Sequence, residues 1–476
     1  MRPLSRLWTA AGAAAATGGR IAADWSVDSV SIDTRSLGGS ALFVALRGEN
    51  RDGHAFVGQA LAANAVAMVS RVEPGWPVER LLVVEDTLAG LEALGRAGRQ
   101  RSPARILGVT GSVGKTGTKE ALRHVLAEQA AAHASAASYN NHWGVPLSLA
   151  RLPQEAAFGV FEMGMNHAGE LSALTAMVRP HVALVTWIAP AHLEYFGSEE
   201  AIADAKGEIF EGLEPGGAAV LPRDSAHFER LAGHAARHGG RITAFGRHEA
   251  SQWRLLDARI GAKDSRVRAQ TPLGPMSFRV GIGGAHWVTN ALAVLAAVHE
   301  AGADVGRAAA ALASLRPPPG RGARHIIRLE KGTALLLDES YNANPVSMRA
   351  ALDLLGRAPG RRLAALGDML ELGEHSAALH AGLADAVALA GVDRVFTCGP
   401  MMDYLHRALP GSRRGDHTQD SATLVPCLRQ ALRPGDVLLV KGSLGSRMAR
   451  IVDALTAPPD DQAPPGPGPA HAGGER

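Results

Sequence analysis

RILGVTGSVGKTGTKE, residues 105–120, decides how the rest of this chain is read. Arg105 to Thr110 is a short apolar, β-branched run with the character of a buried strand. It breaks into a Gly-rich turn, and Lys115 opens a helix-compatible run to about Ala131. A strand, a glycine turn and a helix N-terminus in that order cradle phosphate, because backbone N–H groups and the positive helix end face the anion. Lys115 would reach the β/γ-phosphates and the Thr116 hydroxyl would ligate Mg²⁺. The general phosphate-loop pattern wants a glycine five residues before Gly114, where Val109 stands. A tighter variant, Thr-Gly-Ser-x-Gly-Lys-Thr, fits residues 110–116 throughout. Thr110, Gly111, Ser112, Val113, Gly114, Lys115 and Thr116 are the expected triphosphate loop.

Composition narrows the class. At 476 residues the chain is too long for one ordinary core, and about three domains are expected. Hydrophobic residues at 46% and charged residues at 20% are ordinary for a soluble globular protein. Lys and Arg total 49 against 46 for Asp and Glu, which leaves no electrostatic footprint for nucleic acid. Aromatics at 4% offer few stacking platforms for bases. Cys398 and Cys427 are the only cysteines, so a disulfide scaffold and a cysteine-rich metal site are both excluded. No apolar run is long enough to span a membrane, and the alanine-rich Leu7–Thr17 reads as a surface helix instead of a signal peptide. A cytoplasmic protein with neither nucleic acid nor membrane as partner is the expectation.

The fold class expected is α/β in three domains. Residues 1–100 make a small α/β domain whose segment SIDTRSLGGSALFVALRGENRDGHAF (31–56) sets a strand between two polar rims. On these residues alone, loops around a small sheet and a grip on a nucleotide-linked substrate are both open readings. Residues 101–316 alternate strands and helices as a doubly wound parallel sheet requires. Expected strands at Phe158–Met163 and His181–Ile188 end beside Glu162 and His192, on the edge where ligands of such sheets sit. The prolines of RPPPGRG (316–322) stiffen a linker, the expected hinge for closure over a bound nucleotide. Residues 317–456 form a Rossmann-like α/β domain without a Gly-rich fingerprint. The tail, 457–476, is Pro- and Gly-rich and expected to be disordered.

Four segments together resemble the central domain of the Mur ligases, ATP-dependent amide-forming enzymes of peptidoglycan precursor synthesis. They are the tight phosphate loop, EMGMNHAGE from Glu162, AHLEYFGS at 191–198 and AKGEIF at 205–210. DESYNANPVSM (338–348) and LGDMLELGEHS (366–376), with DTRS, LFVAL and DGHAF in the first domain, resemble the family member that adds D-alanyl-D-alanine. The resemblance covers about residues 5–455. It implies UDP-N-acetylmuramoyl-tripeptide and D-alanyl-D-alanine as substrates, ATP and two Mg²⁺ ions as cofactors, and a monomer.

Residue by residue, the resemblance implies that Gly111, Gly114, Lys115 and Thr116 hold the ATP phosphates, with Thr116 also on Mg²⁺. Glu162 resembles the metal carboxylate and His192 the histidine at a second metal. Lys206 resembles the lysine that CO₂ converts to N6-carboxylysine, which would let it hold that metal too. Lys115, Lys206 and His192 are the catalytic set so implied. Asn290 resembles the adenine-side asparagine, and Arg321 and Asp338 the third-domain residues that meet phosphate and ribose. Asp33, Thr34, Arg35, Ser36, Arg47 and His54 resemble a UDP-sugar site. Asn140 and Asn141 resemble a segment lining the substrate pocket, and Tyr341, Asn342 and Asn344 fall in the motif expected to face substrate.

Each of these has a plainer reading. A loop histidine is usually solvated, a helix lysine is usually a surface charge, and a strand-end acid often caps a helix. Their gathering at strand ends around an independently argued phosphate loop favours chemistry. Some positions depart from the family. Gly117 stands where Ser or Thr is common, Glu339 follows Asp338 in place of a second aspartate, and Leu444 and Ala449 replace an arginine and an acid. The other readings are a sister ligase adding a single amino acid, a folylpolyglutamate synthase-like ligase and a non-catalytic phosphate-loop switch.

Overall fold

The structure is a computed structural model that describes residues 6–38, 40–48, 51–136, 138–190, 193–261 and 263–457. It divides into two compact units, residues 1–189 with 195–315 and residues 190–194 with 316–476. The first unit holds two main sheets and a two-stranded antiparallel ribbon of Trp8–Thr9 with Ser26–Val27. The smaller runs through β1 (Arg20–Ile21), β2 (Ser29–Ser31), β3 (Ala41–Val44), β4 (Val66–Val69) and β5 (Leu81–Val83), in the order β1-β5-β4-β3-β2. All its pairs are parallel except β1–β5. Both β3 and β4 are buried along their whole length, as a strand covered on both faces must be.

Helix α1 (Thr87–Arg101) connects this sheet to the next, so the expected boundary at residue 100 falls inside a helix. Asp86 caps it, its Oδ1 accepting from the N–H groups of Leu88 and Ala89 at 2.8 Å each. After it come β6 (Arg105–Thr110), α2 (Lys115–Ala127), β7 (Ala132–Ala134), α3 (Gly144–Ala150) and β8 (Phe158–Glu162). The chain continues through β9 (Val182–Val185), α4 (Glu199–Gly207), β10 (Ala218–Pro222) and β11 (Arg241–Gly246). Three antiparallel strands follow, β12 (Trp253–Ile260), β13 (Ser265–Thr271) and β14 (Gly274–Val280), and then α5 (Ala285–Glu300).

These nine strands make one sheet in the order β14-β13-β12-β11-β10-β9-β6-β8-β7. The doubly wound parallel sheet is as the sequence implies, but its last three strands extend it as an antiparallel meander. Strict alternation in SRVRAQT marks β13, whose residues are buried and exposed in turn. Strand order reverses around β6, which has β8 on one side and β9 on the other. Crevices for ligands form at such reversals.

The two sheets of this unit are joined by polar contacts over apolar surface. Trp8 Nε1 donates to Ala150 O at 2.9 Å, and the Arg101 guanidinium lies 3.8 Å from the centre of a Trp8 ring. Arg151 Nε donates to Val30 O at 2.6 Å. Helix α1 meets α3 through glycines. A Cβ on Gly95 would sit 3.0 Å from Pro146 Cα, and one on Gly98 would collide with the Leu149 carbonyl.

The second unit is a six-stranded sheet of β15 (Ala323–Arg328), β16 (Thr333–Glu339), β17 (Arg362–Gly367), β18 (Arg394–Cys398), β19 (Arg414–Thr418) and β20 (Val437–Lys441). Their order is β15-β16-β20-β17-β18-β19, parallel except for the edge pair β15–β16. Helices α6 (Pro345–Gly356), α7 (Ser421–Ala431) and α8 (Ala449–Thr456) belong to this unit. One apolar cluster holds Leu352, Leu366 and Leu439, and another holds Phe396, Leu438 and Ile451, so the sheet is covered on both faces. Among the described residues no helix is long and apolar enough to cross a membrane.

In an open helix interior Gly98→Ala would gain about 1 kcal/mol of propensity. Here the added methyl meets backbone, and overpacking costs about 1–3 kcal/mol. The expected result is a lower denaturant midpoint for Gly98→Ala than for wild type; a midpoint unchanged or raised would refute the close contact.

Candidate active site

The turn between β6 and α2 is held from beside it, by the segment that follows β9. Thr186 N donates to Thr110 O at 2.9 Å, and Thr186 Oγ1 donates to Val113 O at 2.6 Å. Ser112 N donates to Trp187 O at 2.7 Å, and Ser112 Oγ accepts from Ala189 N at 3.1 Å. The two glycines have backbone conformations that side chains disfavour, φ +144° at Gly111 and +87° at Gly114. A Cβ on Gly111 would collide with Thr186 Oγ1, and one on Gly114 would lie 2.9 Å from Asn290 Nδ2. Asn290, from α5, therefore packs directly on the loop. Lys115 begins α2, and its Nζ donates to Gly111 O at 2.6 Å, spanning the turn.

Glu162 ends β8 in register with Val109, one residue short of the end of β6. Its side chain is buried at 1% exposure, and Oε1 accepts from Asn140 Nδ2 at 2.7 Å. The other oxygen, Oε2, is buried with no hydrogen-bond partner. A buried carboxylate oxygen left unpaired costs free energy unless a cation or a donor arrives. Thr116 Oγ1, in the first turn of α2, lies 3.2 Å from Ser138 Oγ in the loop after β7. An orphaned carboxylate oxygen and a hydroxyl beside a phosphate loop suit Mg²⁺, a hard cation that takes a few protein oxygens and completes its shell with phosphates and water. Among the described residues no three His, Cys, Asp or Glu side chains converge as a metal cluster, so the donors offered to a metal here are of this mixed kind.

Lys206 lies near the end of α4 and is 1% exposed. Burial pushes its amine well below the usual lysine range, and the charge of Lys115 adds to that, while Glu208 opposes it. Glu208 itself accepts from Gly169 N at 2.8 Å and Ser172 N at 3.2 Å. His192, the remaining member of the expected catalytic set, lies outside the described residues.

Gly117, a departure from the family pattern, has a local reason. A Cβ there would lie 2.8 Å from Cη2 of Trp287, a residue of α5 that is 5% exposed. The indole fills the space that a serine side chain would need.

In the smaller sheet's rim, Arg35 and Asp33 form a fork, Nε to Oδ1 at 3.0 Å and Nη2 to Oδ2 at 2.7 Å. The Arg35 side chain and its backbone N–H hold the Asp33 carboxyl down at about 2. Thr34 Oγ1 donates to Gln59 Oε1 at 3.0 Å, Ser36 Oγ is 3.0 Å from Ser31 Oγ, and Arg47 pairs with Asp52 across an isolated bridge.

Three expected substrate residues have other duties. His54 is 2% exposed; Nδ1 is 2.7 Å from Asp52 Oδ1, and Nε2 accepts from Ser70 N at 3.0 Å. Both ring nitrogens are engaged, so His54 braces the rim between Asp52 and Ser70. Asn141 Oδ1 accepts from Gly144 N at 2.9 Å at the start of α3. Asn344 caps α6 in a reciprocal box with Ser347. Asn140 acts on Glu162.

Within the second unit, Asp338 is buried and accepts from Gly320 N at 3.0 Å, Ser340 N at 3.1 Å and Ser340 Oγ at 2.6 Å. The Arg321 guanidinium stacks 4.1 Å from the Tyr341 ring centre. Asn342 O accepts from Lys441 Nζ at 2.8 Å, and that amine lies 3.8 Å from Glu339 Oε2. Burial raises the Glu339 carboxyl and lowers the Lys441 amine, each toward its neutral form. Thr186, Ser138 and Lys441 are functional neighbours that the sequence reading missed. Only the places of Thr186 and Lys441 at strand ends hinted at them.

Comparisons with known proteins agree with this layout. The model for the Mur ligase middle domain matches residues 109–298, that for the Mur ligase glutamate ligase domain matches 324–444, and that for the Mur ligase family catalytic domain matches 26–86. The UDP-N-acetylmuramoyl-tripeptide–D-alanyl-D-alanine ligase of Escherichia coli (strain K12) is 37% identical over 438 residues, covering 91% of this chain and 94% of that one. MurF from Acinetobacter baumannii superposes with a TM-score of 0.83 at 29% identity, over 95% of this chain and 99% of that one. MurF from Thermotoga maritima in complex with ADP gives 0.75 at 26% identity, over 91% and 98%.

Trp287 yields a checkable consequence. Gly117→Ser should lower the thermal midpoint by several degrees, since overpacking costs about 1–3 kcal/mol. Adding Trp287→Leu should recover most of that loss; a single mutant as stable as wild type would refute the contact.

Proposed function

The chain belongs to the Mur ligase family and is an ATP-dependent ligase that forms a carbon–nitrogen bond, and we infer that it joins D-alanyl-D-alanine to UDP-N-acetylmuramoyl-tripeptide. The product is the UDP-N-acetylmuramoyl-pentapeptide used in peptidoglycan synthesis. The observation that carries this choice of substrates is end-to-end similarity, 37% identity over 91% of the chain, to the ligase that bears that name in E. coli.

The reaction is uphill without activation. The γ-phosphoryl group of ATP passes to an oxygen of the tripeptide's terminal carboxylate, giving an acyl phosphate and ADP. The dipeptide amine then attacks the acyl carbon, loses a proton, and phosphate leaves from the tetrahedral intermediate. Phosphoryl transfer asks for positioning and charge neutralisation more than for a side-chain nucleophile. Gly111 and Val113 to Thr116 supply backbone N–H groups for the phosphates, and Lys115 supplies a cation. Asn290 lies against the same loop and is proposed to meet the adenine side of the nucleotide.

Thr116 and Glu162 would hold one Mg²⁺, and His192 with a carbamylated Lys206 would hold a second. Such ions neutralise phosphate charge and orient the transferring group. Burial favours the neutral Lys206 amine, the form that adds CO₂ to give N6-carboxylysine and release a proton. Asp33 to Ser36 and Arg47 are proposed as the UDP-sugar rim, held by His54. Tyr341 and Asn342 are proposed to face the incoming dipeptide. The enzyme is proposed to act in the cytoplasm as a monomer.

Phosphate release should require ATP, Mg²⁺, UDP-N-acetylmuramoyl-tripeptide and D-alanyl-D-alanine together, with a mass gain matching the dipeptide. Release with a single amino acid and a shorter UDP-muramoyl peptide would instead make it a sister ligase, and release without any amine would make it a nucleotide switch.

¹³C-bicarbonate should label Lys206 as a carbamate in the NMR spectrum. Because the neutral amine reacts, and its pKa is lowered, the signal should persist at neutral pH and fade as acid protonates the amine. Lys206→Ala should lose both the signal and most turnover; a wild type with no carbamate signal and full turnover would refute this role.

A further inference from the structure

Lys119 lies on α2, one turn beyond the lysine of the phosphate loop, and is completely buried. Lysine is among the residues least often taken fully out of water, and a methionine or leucine would fill such a position at less cost. Its Nζ donates to Ser135 O at 2.7 Å and lies 2.8 Å from Glu120 Oε1, while Glu120 Oε2 accepts from Arg123 Nε at 2.9 Å. Residues three apart share a face of a helix, and Thr116 and Lys119 both reach the segment that follows β7. Thr116 meets Ser138 there, and Lys119 meets Ser135.

That segment in turn holds the end of β8 at two points. Ser135 Oγ accepts from Glu162 N at 3.3 Å, and Asn140 Nδ2 donates to Glu162 Oε1 at 2.7 Å. Just beyond, Gly164 N donates to Asn140 O at 2.8 Å, and a Cβ on Gly164 would lie 3.0 Å from Asn140 Cγ. The sheet itself is continued by Ser135 N, which donates to Val160 O at 3.1 Å. Lys119 takes the carbonyl of the same residue, where the segment leaves the sheet.

We propose that Lys119 is a positioning residue for the metal carboxylate. By fixing the segment after β7, it lets Asn140 hold one oxygen of Glu162 and leaves the other, the unsatisfied Oε2, for Mg²⁺. The inference rests on the nucleotide-and-metal reading above. A carboxylate held by one oxygen keeps a single orientation, and losing the groups that orient a metal ligand weakens metal binding about 10- to 100-fold. A charge-assisted bond from a buried amine is stronger than one from a neutral donor, which gives the lysine a reason to be there.

The test is Mn²⁺ binding to the full chain with a non-hydrolysable ATP analogue, read by electron paramagnetic resonance. Lys119→Met keeps the length of the side chain, removes the donor and leaves Glu120 paired with Arg123. It should weaken Mn²⁺ binding roughly tenfold. Ser135→Ala leaves Lys119 in place, removes the acceptor of the Glu162 N–H and should weaken binding several-fold. Val125→Ala loosens the same helix in its apolar core, so it should lower the thermal midpoint and leave Mn²⁺ affinity as in wild type. Wild-type affinity in Lys119→Met, or an equal loss in Val125→Ala, would overturn the inference. If Lys119→Met does not fold, wild-type affinity in Ser135→Ala overturns it. A wild-type chain that binds no Mn²⁺ beside the analogue would instead overturn the metal reading itself.

Discussion

A phosphate loop is a stretch of backbone that must point its N–H groups inward while making few hydrogen bonds of its own, and such a stretch does not hold its shape unaided. Here the shape comes from the neighbouring strand. Thr186 takes the carbonyls of Thr110 and Val113, and Trp187 and Ala189 take Ser112 by its amide and hydroxyl. With those carbonyls turned away, the N–H groups and the start of α2 are left for an anion. Lys115, Glu162, Asn290 and Lys206 have their places because β6, β8, α5 and α4 are fixed around that turn.

Close approach of backbones sets the rest of the first unit. Gly95 and Gly98 let α1 lie against α3, which brings the smaller sheet and its Asp33–Arg35 rim into the same compact body as the phosphate loop. Gly117 does the same for α2 and Trp287. Helix propensity argues against each glycine by about 1 kcal/mol. The penalty of forcing a methyl into these contacts is as large or larger, so packing decides the residue.

In the second unit the residues singled out from sequence work as a scaffold for strand-end loops. Asp338 holds Gly320 and Ser340, and Lys441 reaches from β20 to Asn342 while facing Glu339. Removing the Lys441 amine would leave the part-buried Asn342 carbonyl without its donor, at a cost of about 1–3 kcal/mol. The YNAN turn is therefore tied to the strand that ends at Lys441.

The sequence alone determined the strand, turn and helix of residues 105–120, because a phosphate cradle is local and its glycines and lysine stand at fixed offsets. It also determined the parallel α/β character, from apolar runs such as Phe158–Met163 and His181–Ile188, within which the strands Phe158–Glu162 and Val182–Val185 form. The antiparallel strands β12–β14 were only half legible: SRVRAQT alternates, but nothing local says that it joins the central sheet. What only the tertiary structure decided is which polar residues are spare. Asn141, Asn344 and His54 look like binding residues in a linear reading, and the fold gives each a structural duty as well, the two asparagines at helix starts and His54 in a buried ring contact. Glu162, one more strand-end acid in sequence, emerges with a buried oxygen that nothing satisfies. Hydrogen-bond saturation depends on partners that the chain brings together from far apart, as Thr186 reaches Thr110 and Ser443 reaches Leu370, and no spacing along the chain records it.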